Sequence, residues 1–479
     1  MSDLPWKSLT TVSALATYVL VEHQSHLLLF SRPSYLGTFC QLWSFGFLVF
    51  AFWKVVIYHR FISPLRHIPT AKGGSWWNGH FGTILAKPTG IPQLEWINSI
   101  PNDGLIRYMG MFNSERLVVV SPKALSEVLT TSSYDFIKPS NVTTTLGRVL
   151  GVGVLLAEGD EHKFQRKNLM PAFAFRHVKD LYPVFWEKSR EAVQKMTEQV
   201  KAGGDPPVKD SKDDSKYLEK SVSTDGVPVI EAGEWASRAT LDIIGVAGMG
   251  QDFNAIQDPD NLLSTTYRKI FKPSRGAMLM GLMNLFLPGW LVKAIPMKRN
   301  EDLNSAANII RETCRQLVHS KKQKLEKSEL TDVDILSVAL ESGAFTDENL
   351  VDQLMTFLAA GHETTSTAMT WAIYMLCLNP DMQTRLRAEI HENLPSINAN
   401  SSVTSQQIDH MPYLNAVCSE VLRYWSPVAL TPRRAARDTT IVGQRIPKDT
   451  RIMLVPWAVN KSESLWGRRA EIQPGPLAA

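Results

Sequence analysis

The chain has 479 residues, 44% of them hydrophobic and 20% charged, which suits a folded protein and excludes a disordered one. Lys plus Arg number 51 against 47 Asp plus Glu, a formal net charge of +4, too small an imbalance to argue for a nucleic-acid partner. The four cysteines, Cys40, Cys314, Cys377 and Cys418, include no Cys-x-x-Cys pair, so zinc, a redox motif and a disulfide scaffold are disfavoured and a reducing compartment fits the main body.

Two apolar stretches open the chain. The first, Leu9 to Phe30, is interrupted by Glu22, His23, Gln24 and His26. The second, Leu36 to Tyr58, is dense in aromatics and uncharged from Gly37 to Trp53. About 20 residues at 1.5 Å rise are needed to cross a bilayer. The expectation is therefore a membrane anchor over residues 1–62, with one span at about 36–58 and a second candidate at about 9–30. A signal peptide is disfavoured, because Met1–Pro5 is acidic rather than basic. Lys54, His59, Arg60, Arg66, His67 and Lys72 follow the second stretch, which places the body on the cytoplasmic side.

The body, 63–479, opens on Pro64-Leu-Arg-His-Ile-Pro69, whose prolines stiffen the exit from the anchor. Leu117–Val120 reads as a short buried strand closed by a Ser121-Pro122 turn. Asp160–Gln199 reads as helix with breaks near Pro171 and Pro183. Residues 201–228, rich in Lys, Asp, Ser, Gly and Pro, read as a flexible surface insertion. Trp235–Met249 resumes a buried helix. The longest helix is expected from Thr346, its N-cap, to Asn379, with Asp347 and Glu348 in its first turn and Pro380 opening the next helix. Its second half is apolar on nearly every face and is expected in the core.

Residues 354–367 of that helix read Leu-Met-Thr-Phe-Leu-Ala-Ala-Gly-His-Glu-Thr-Thr-Ser-Thr. Gly361 costs about 1 kcal/mol there relative to Ala, and Glu363, Thr364 and Thr365 cost more unless satisfied. A packing glycine and threonines bonded back to carbonyls at i−4 would explain part of this, but not the carboxylate. A His-Glu-x-x-His zinc site fails because Ser366 stands at the second histidine's place. Farther on, Glu420 and Arg423 are three apart on a helix beginning near Pro412. Such a pair is usually exposed, yet Val417, Val421 and Leu422 flank it with apolar surface. His162 and Arg166 form an i, i+4 pair, and Arg433 follows the turn Ser426-Pro427…Thr431-Pro432. Taken singly, these three are ordinary exposed charges.

In order and spacing, these pieces resemble the cytochrome P450 family, the haem-thiolate monooxygenases, over about residues 60–470. The resemblance implies a mainly α (α+β) fold with a small sheet, heme b as cofactor and electrons from a membrane-bound flavoprotein reductase. It implies hydroxylation or oxidation of a lipophilic small molecule, in the manner of fungal secondary metabolism, at the endoplasmic reticulum membrane. Carried over residue by residue, Thr364 is the proton-delivery alcohol and Glu363 the acid. Ala360 and Gly361 line an oxygen groove where the helix opens. His162, Arg166 and Arg433 hold the haem propionates. Glu420 and Arg423 form a buried structural clamp. The family completes that clamp with a later arginine, where Pro476 stands here. The family's haem-ligand segment, Phe-x-x-Gly-x-x-x-Cys-x-Gly, is not found in the sequence, so no metal ligand is assigned. The expectation is a P450 domain truncated before its cysteine loop, the following helix and the last β elements, and inactive as written. The alternative is a non-catalytic membrane-bound binding protein or pseudoenzyme.

Overall fold

The computed structural model describes residues 6–23, 34–204, 227–271, 274–287, 289–327, 334–399 and 401–467. It is mainly helical with a small sheet and divides into two compact units, Met1–Phe136 with Arg434–Val455, and Ile137–Arg433 with Pro456–Ala479.

The first unit starts with helices α1 (Trp6–His23) and α2 (Tyr35–Phe52), and α2 runs on as a wider turn through Trp53–Ile62. The two pack side by side, Trp6 stacking on Trp43 at 5.6 Å and Trp43 Nε1 donating to Thr10 Oγ1 at 3.3 Å. Tyr35–Ile62 is long and apolar enough to cross a membrane, by length and composition. It outlasts the expected 36–58 span because Lys54, His59 and Arg60 end the apolar run without breaking the helix. Of the second candidate span, residues 24–30 lie outside the described residues.

Ser63 turns the chain after this helix. Its hydroxyl accepts from Leu65 N–H at 3.1 Å, capping a short turn at Pro64–His67, and donates to Glu115 Oε2 at 2.7 Å. The strands are β1 (Leu105–Met109), β2 (Glu115–Val119), β3 (Phe136–Ile137), β4 (Thr431–Ala435), β5 (Thr439–Ile441), β6 (Gln444–Ile446) and β7 (Arg451–Leu454). They form a five-stranded sheet in the order β1-β2-β7-β4-β3 and a β5-β6 hairpin. β1 and β2 are antiparallel, with Arg107 opposite Leu117, while β2 and β7 run parallel. Leu65, Ile68, Leu117, Val119, Ile452 and Leu454 belong to this unit's core. The strand expected at Leu117–Val120 is therefore present, one residue shorter at its end and two longer at its start.

The second unit is built on helices α3 (Gly159–Leu169), α4 (Tyr182–Lys201), α5 (Ala232–Met249), α6 (Leu262–Phe271), α7 (Lys298–Glu326), α8 (Asp347–Leu378), α9 (Pro380–Asn393) and α10 (Pro412–Tyr424). The expected breaks appear as a tight turn at Met170–Phe173 and as Pro183 in the first turn of α4. Most of the expected insertion, residues 205–226, lies outside the described residues. α8 starts where capping chemistry places it, with Thr346 Oγ1 accepting from Asn349 N–H at 3.3 Å. Its 32 residues span about 48 Å.

The burial of α8 is the reverse of the expectation. Its first half carries the core residues Leu350, Val351, Leu354, Met355, Leu358 and Ala359, packed in one cluster with residues of α5, α6 and α7. Its second half leaves Met369, Ile373, Tyr374 and Leu378 exposed. There only one stripe, Trp371, Ala372 and Leu376, packs on α9 and α10. Composition marks a face as apolar; neighbouring helices decide whether it is covered.

Candidate functional site

The first half of α8 also holds polar residues that fix the neighbouring loop. Thr356 Oγ1 donates to the Leu150 carbonyl at 2.8 Å, and Gln353 Oε1 accepts from Val154 N–H at 2.8 Å. Gln353 Nε2 reaches Gln165 Oε1 of α3 at 2.8 Å. Both side chains are buried, and burial without these partners would cost each of them. The loop comes close because Gly153 has no side chain: a Cβ there would lie 2.4 Å from Thr356 Oγ1. Sequence reasoning passed over Gln353 and Thr356. Their signal was two polar residues at i, i+3 on an otherwise apolar helix face.

One turn on, the four positions the resemblance assigned, Ala360, Gly361, Glu363 and Thr364, take different settings, with His362 between them. Gly361 faces α5, where an added Cβ would meet Ile244 Cδ1 and Cγ1 at 2.9 Å, so its small size serves a close helix crossing. Thr364 Oγ1 donates to the Ala360 carbonyl at 2.7 Å, the i−4 bond a helical threonine can make. The helix runs unbroken through these residues, without the opening that the resemblance implied. Glu363 is partly exposed, and burial raises its carboxyl above the usual range, which favours the protonated acid. His362 is fully buried and held neutral, its imidazole pushed down to about 4 mainly by burial.

Lys138, His162 and Arg433 gather around one carboxylate, and Arg166 lies near His162. Glu158, just before α3, accepts from both the backbone N–H of Lys138 at 2.8 Å and its ammonium at 3.2 Å. His162 is lowered first by burial, then by Lys138 and Arg166, and is raised by Glu158. Arg433 feels the same Glu158, burial lowering it and the carboxylate raising it. Arg433 also donates to Thr431 Oγ1 and the Pro432 carbonyl, at 2.8 and 2.9 Å. His162, Arg166 and Arg433 thus share one electrostatic neighbourhood, and Lys138 joins them. Lys138 carried no motif and showed itself only through folding.

Glu420 and Arg423 form a buried bidentate pair, with Arg423 Nε and Nη2 donating to the carboxylate at 2.7 and 2.6 Å. Arg423 Nη1 donates to the Asn460 carbonyl at 2.5 Å. That backbone oxygen satisfies one of the guanidinium's donors. The sequence position matched to the family's third partner, Pro476, lies outside the described residues.

A sequence model of the family described as Cytochrome P450 matches residues 104–472, over three quarters of the chain. The chain belongs to the cytochrome P450 family. Its relatives include the cytochrome P450 monooxygenase FUM15 of Gibberella moniliformis, 45% identical over 90% of this chain and 72% of the relative. ALT8 of Alternaria alternata, likewise named a cytochrome P450 monooxygenase, is 43% identical over 88% of this chain and 72% of its own length. A third, sphH of Aspergillus fumigatus, is 44% identical over 88% and 75%. These relatives are fungal members of the family, in line with the resemblance read from the motifs.

Cytochrome P450 membership implies haem, and the donor set fits part of that group. Lys138, Arg166 and Arg433 carry more positive charge than the Glu158 carboxylate can neutralise, and His162 adds an imidazole beside them, the setting two propionates need. The cysteines fit less well. Cys314 is buried and its thiol is pushed up to about 12 by burial, the opposite of a thiolate's setting. Cys377 is exposed near the end of α8, 14 residues past Glu363 and so about 21 Å along the helix. Cys418 is exposed on the Glu420–Arg423 helix, and Cys40 is exposed in α2. Among the described residues no group of three or more His, Cys, Asp or Glu could hold a metal ion.

Proposed function

We propose that this cytochrome P450 is of the monooxygenase type and that its intact chemistry oxidises a lipophilic small molecule. The observation that carries the reading is the acid and alcohol, Glu363 and Thr364, at mid-length on a helix whose preceding turns are core. Haem would supply oxygen activation, and this chain's residues do the rest. Lys138, His162, Arg166 and Arg433 bind and orient the propionates. Glu363, whose carboxyl burial shifts toward the protonated form, is the group that would hold a proton beside the Thr364 hydroxyl. That hydroxyl is tied to the Ala360 carbonyl and can turn to relay the proton, and Ala360 forms the adjoining wall. Gly361 lets α5 close behind it. Glu420 and Arg423 keep the surrounding core rigid.

The electron donor in this reading is a membrane-bound flavoprotein reductase. The site is the endoplasmic reticulum, with Tyr35–Ile62 anchoring the body and the basic residues after Lys54 keeping it cytoplasmic. None of the four cysteines has the setting of an iron-bound thiolate, so this 479-residue chain is read as inactive by itself. A purely structural or binding role has no observation in its favour, because the acid, the alcohol and the cation cluster would then be unexplained.

Hemin titration followed by absorbance tests the cradle. Charge reversal at Arg166 or Arg433 to Glu should weaken haem binding about tenfold or more, the scale of one lost charge-assisted contact. Unchanged binding in both variants would remove these residues from the site.

A further inference from the structure

His362 stands between Gly361 and Glu363, and no role has been given to it above. Its imidazole is fully buried and lies 4.7 Å, ring to ring, from Tyr267 of α6. Nδ1 is 3.2 Å from the Leu358 carbonyl oxygen. A carbonyl can only accept, so Nδ1 carries the proton and donates. In a neutral imidazole Nε2 is then a lone-pair acceptor. Among the described residues Nε2 is buried without a hydrogen-bond partner, a state that is costly for a buried polar atom.

Glu363 Oε2 lies 3.6 Å from that lone pair. The gap is too long for a hydrogen bond as it stands. The imidazole is locked by burial, but the Glu363 side chain is about one-third exposed and can rotate to close it. Catalytic contacts are often long before the cofactor and substrate arrive. An imidazolium–carboxylate pair is the wrong description, since burial opposes charge on both partners.

Most groups around the ring are engaged elsewhere; the exception is the hydroxyl of Tyr267, whose ring lies against the imidazole and whose O–H is buried without a hydrogen-bond partner among the described residues. From α5, Thr240 Oγ1 donates to the His362 carbonyl at 3.1 Å, Asp242 accepts the Ala255 and Ile256 amides, and Arg238 stacks on Trp235. From α6 comes the buried Tyr267, and from α7 Cys314 acts on Tyr267. Burial and the Leu358 carbonyl are the influences on the imidazole itself.

We propose that His362 is a positioning residue for Glu363: its Nε2 accepts a hydrogen bond from the protonated carboxyl and holds that acid in one orientation beside Thr364. The proton stays on the carboxyl oxygen and no bond to it is exchanged. The proposal rests on Glu363 being the proton-delivery acid, so its test uses neither haem nor turnover.

The test is nitrogen NMR of the full chain labelled at histidine, with the His362 signals identified by their loss in His362→Phe. The expected spectrum shows a neutral ring protonated at Nδ1 from pH 7 to about 5, with Nε2 shifted as an acceptor. Glu363→Ala should move the Nε2 signal and leave the tautomer unchanged. A ring protonated at Nε2, an imidazolium at neutral pH, or an Nε2 signal indifferent to Glu363→Ala would overturn the proposal. The infrared carboxyl band of Glu363 gives a second reading. His362→Phe should lower the pH at which that band titrates by about one unit, and His362→Gln, which keeps an acceptor, should restore it. No shift would also overturn it. Should the Phe variant not fold, the comparison of wild type with Glu363→Ala still decides. Loss of proton delivery as a function would leave both spectra unchanged, so the two failures are distinguishable.

Discussion

His362 and Glu363 are neighbours in sequence, and their positions on α8 give them opposite linkage to stability. The His362 imidazole is lowered to about 4 by burial. Between the unfolded value near 6.5 and that folded value, the unfolded chain binds more protons. The group's contribution is therefore present above about pH 6.5 and lost as pH falls toward 4, up to about 3 kcal/mol. Unfolding midpoints measured from pH 7 to 4 should fall more steeply for wild type than for His362→Phe; equal slopes would contradict the burial argument. Glu363 has its folded value raised, so its stabilising contribution is present below the unfolded carboxyl range and is lost as pH rises through the folded value. The buried clamp makes a larger prediction. Glu420→Ala leaves the Arg423 guanidinium buried without its carboxylate and should cost about 3–5 kcal/mol in denaturant unfolding. A loss below 1 kcal/mol would show that the pair is not sealed from water. The Glu420–Arg423 pair was legible in the sequence, because its spacing came with apolar neighbours at Val417 and Val421. His362 was legible only as a failed zinc motif. Its meaning depends on which face of α8 is buried, and that depends on α5 and α6.

Helix ends were the most legible elements. Thr346, Asp347 and Pro380 announce the bounds of α8 through capping and dipole chemistry that is local to the chain. The direction of its burial was not legible, since the second half is as apolar as a core helix and is covered along one stripe only. The docking of the 150–156 loop on Gln353 and Thr356 was equally hidden, because it depends on contacts about 200 residues apart. Two glycines near this loop give opposite predictions. Gly153→Ala would place a Cβ 2.4 Å from Thr356 Oγ1 and 2.8 Å from the Asp352 carbonyl, and should destabilise by about 1–3 kcal/mol through forced movement of the loop. Gly147, inside the helix Ser140–Leu150, has its nearest contact at 3.8 Å. Gly147→Ala should stabilise by up to about 1 kcal/mol from helix propensity. Thermal unfolding of the two variants side by side checks both signs, and a stabilising Gly153→Ala would remove the close-approach argument.

For the whole molecule, the family was legible because several short motifs keep their order across most of the chain, and the family match confirms it. The long apolar helix Tyr35–Ile62 was legible as composition. Deleting residues 2–62 should move the protein from the membrane fraction to the soluble one, and unchanged sedimentation with membranes would assign membrane binding to the body instead. What the sequence could not give was the spatial gathering of Lys138, His162 and Arg433 about Glu158. It also could not show the seclusion of Cys314 in the core. Those two placements support the proposed reading, in which this chain supplies the propionate and proton-delivery sides of a haem site while none of its four cysteines is set to bind iron. The most direct measurement is the carbon-monoxide difference spectrum of the reduced 479-residue chain, expressed with haem supplied. The account predicts no thiolate-type, red-shifted Soret band. Appearance of that band would mean that one of Cys40, Cys314, Cys377 or Cys418 reaches the iron, and that reading would be wrong.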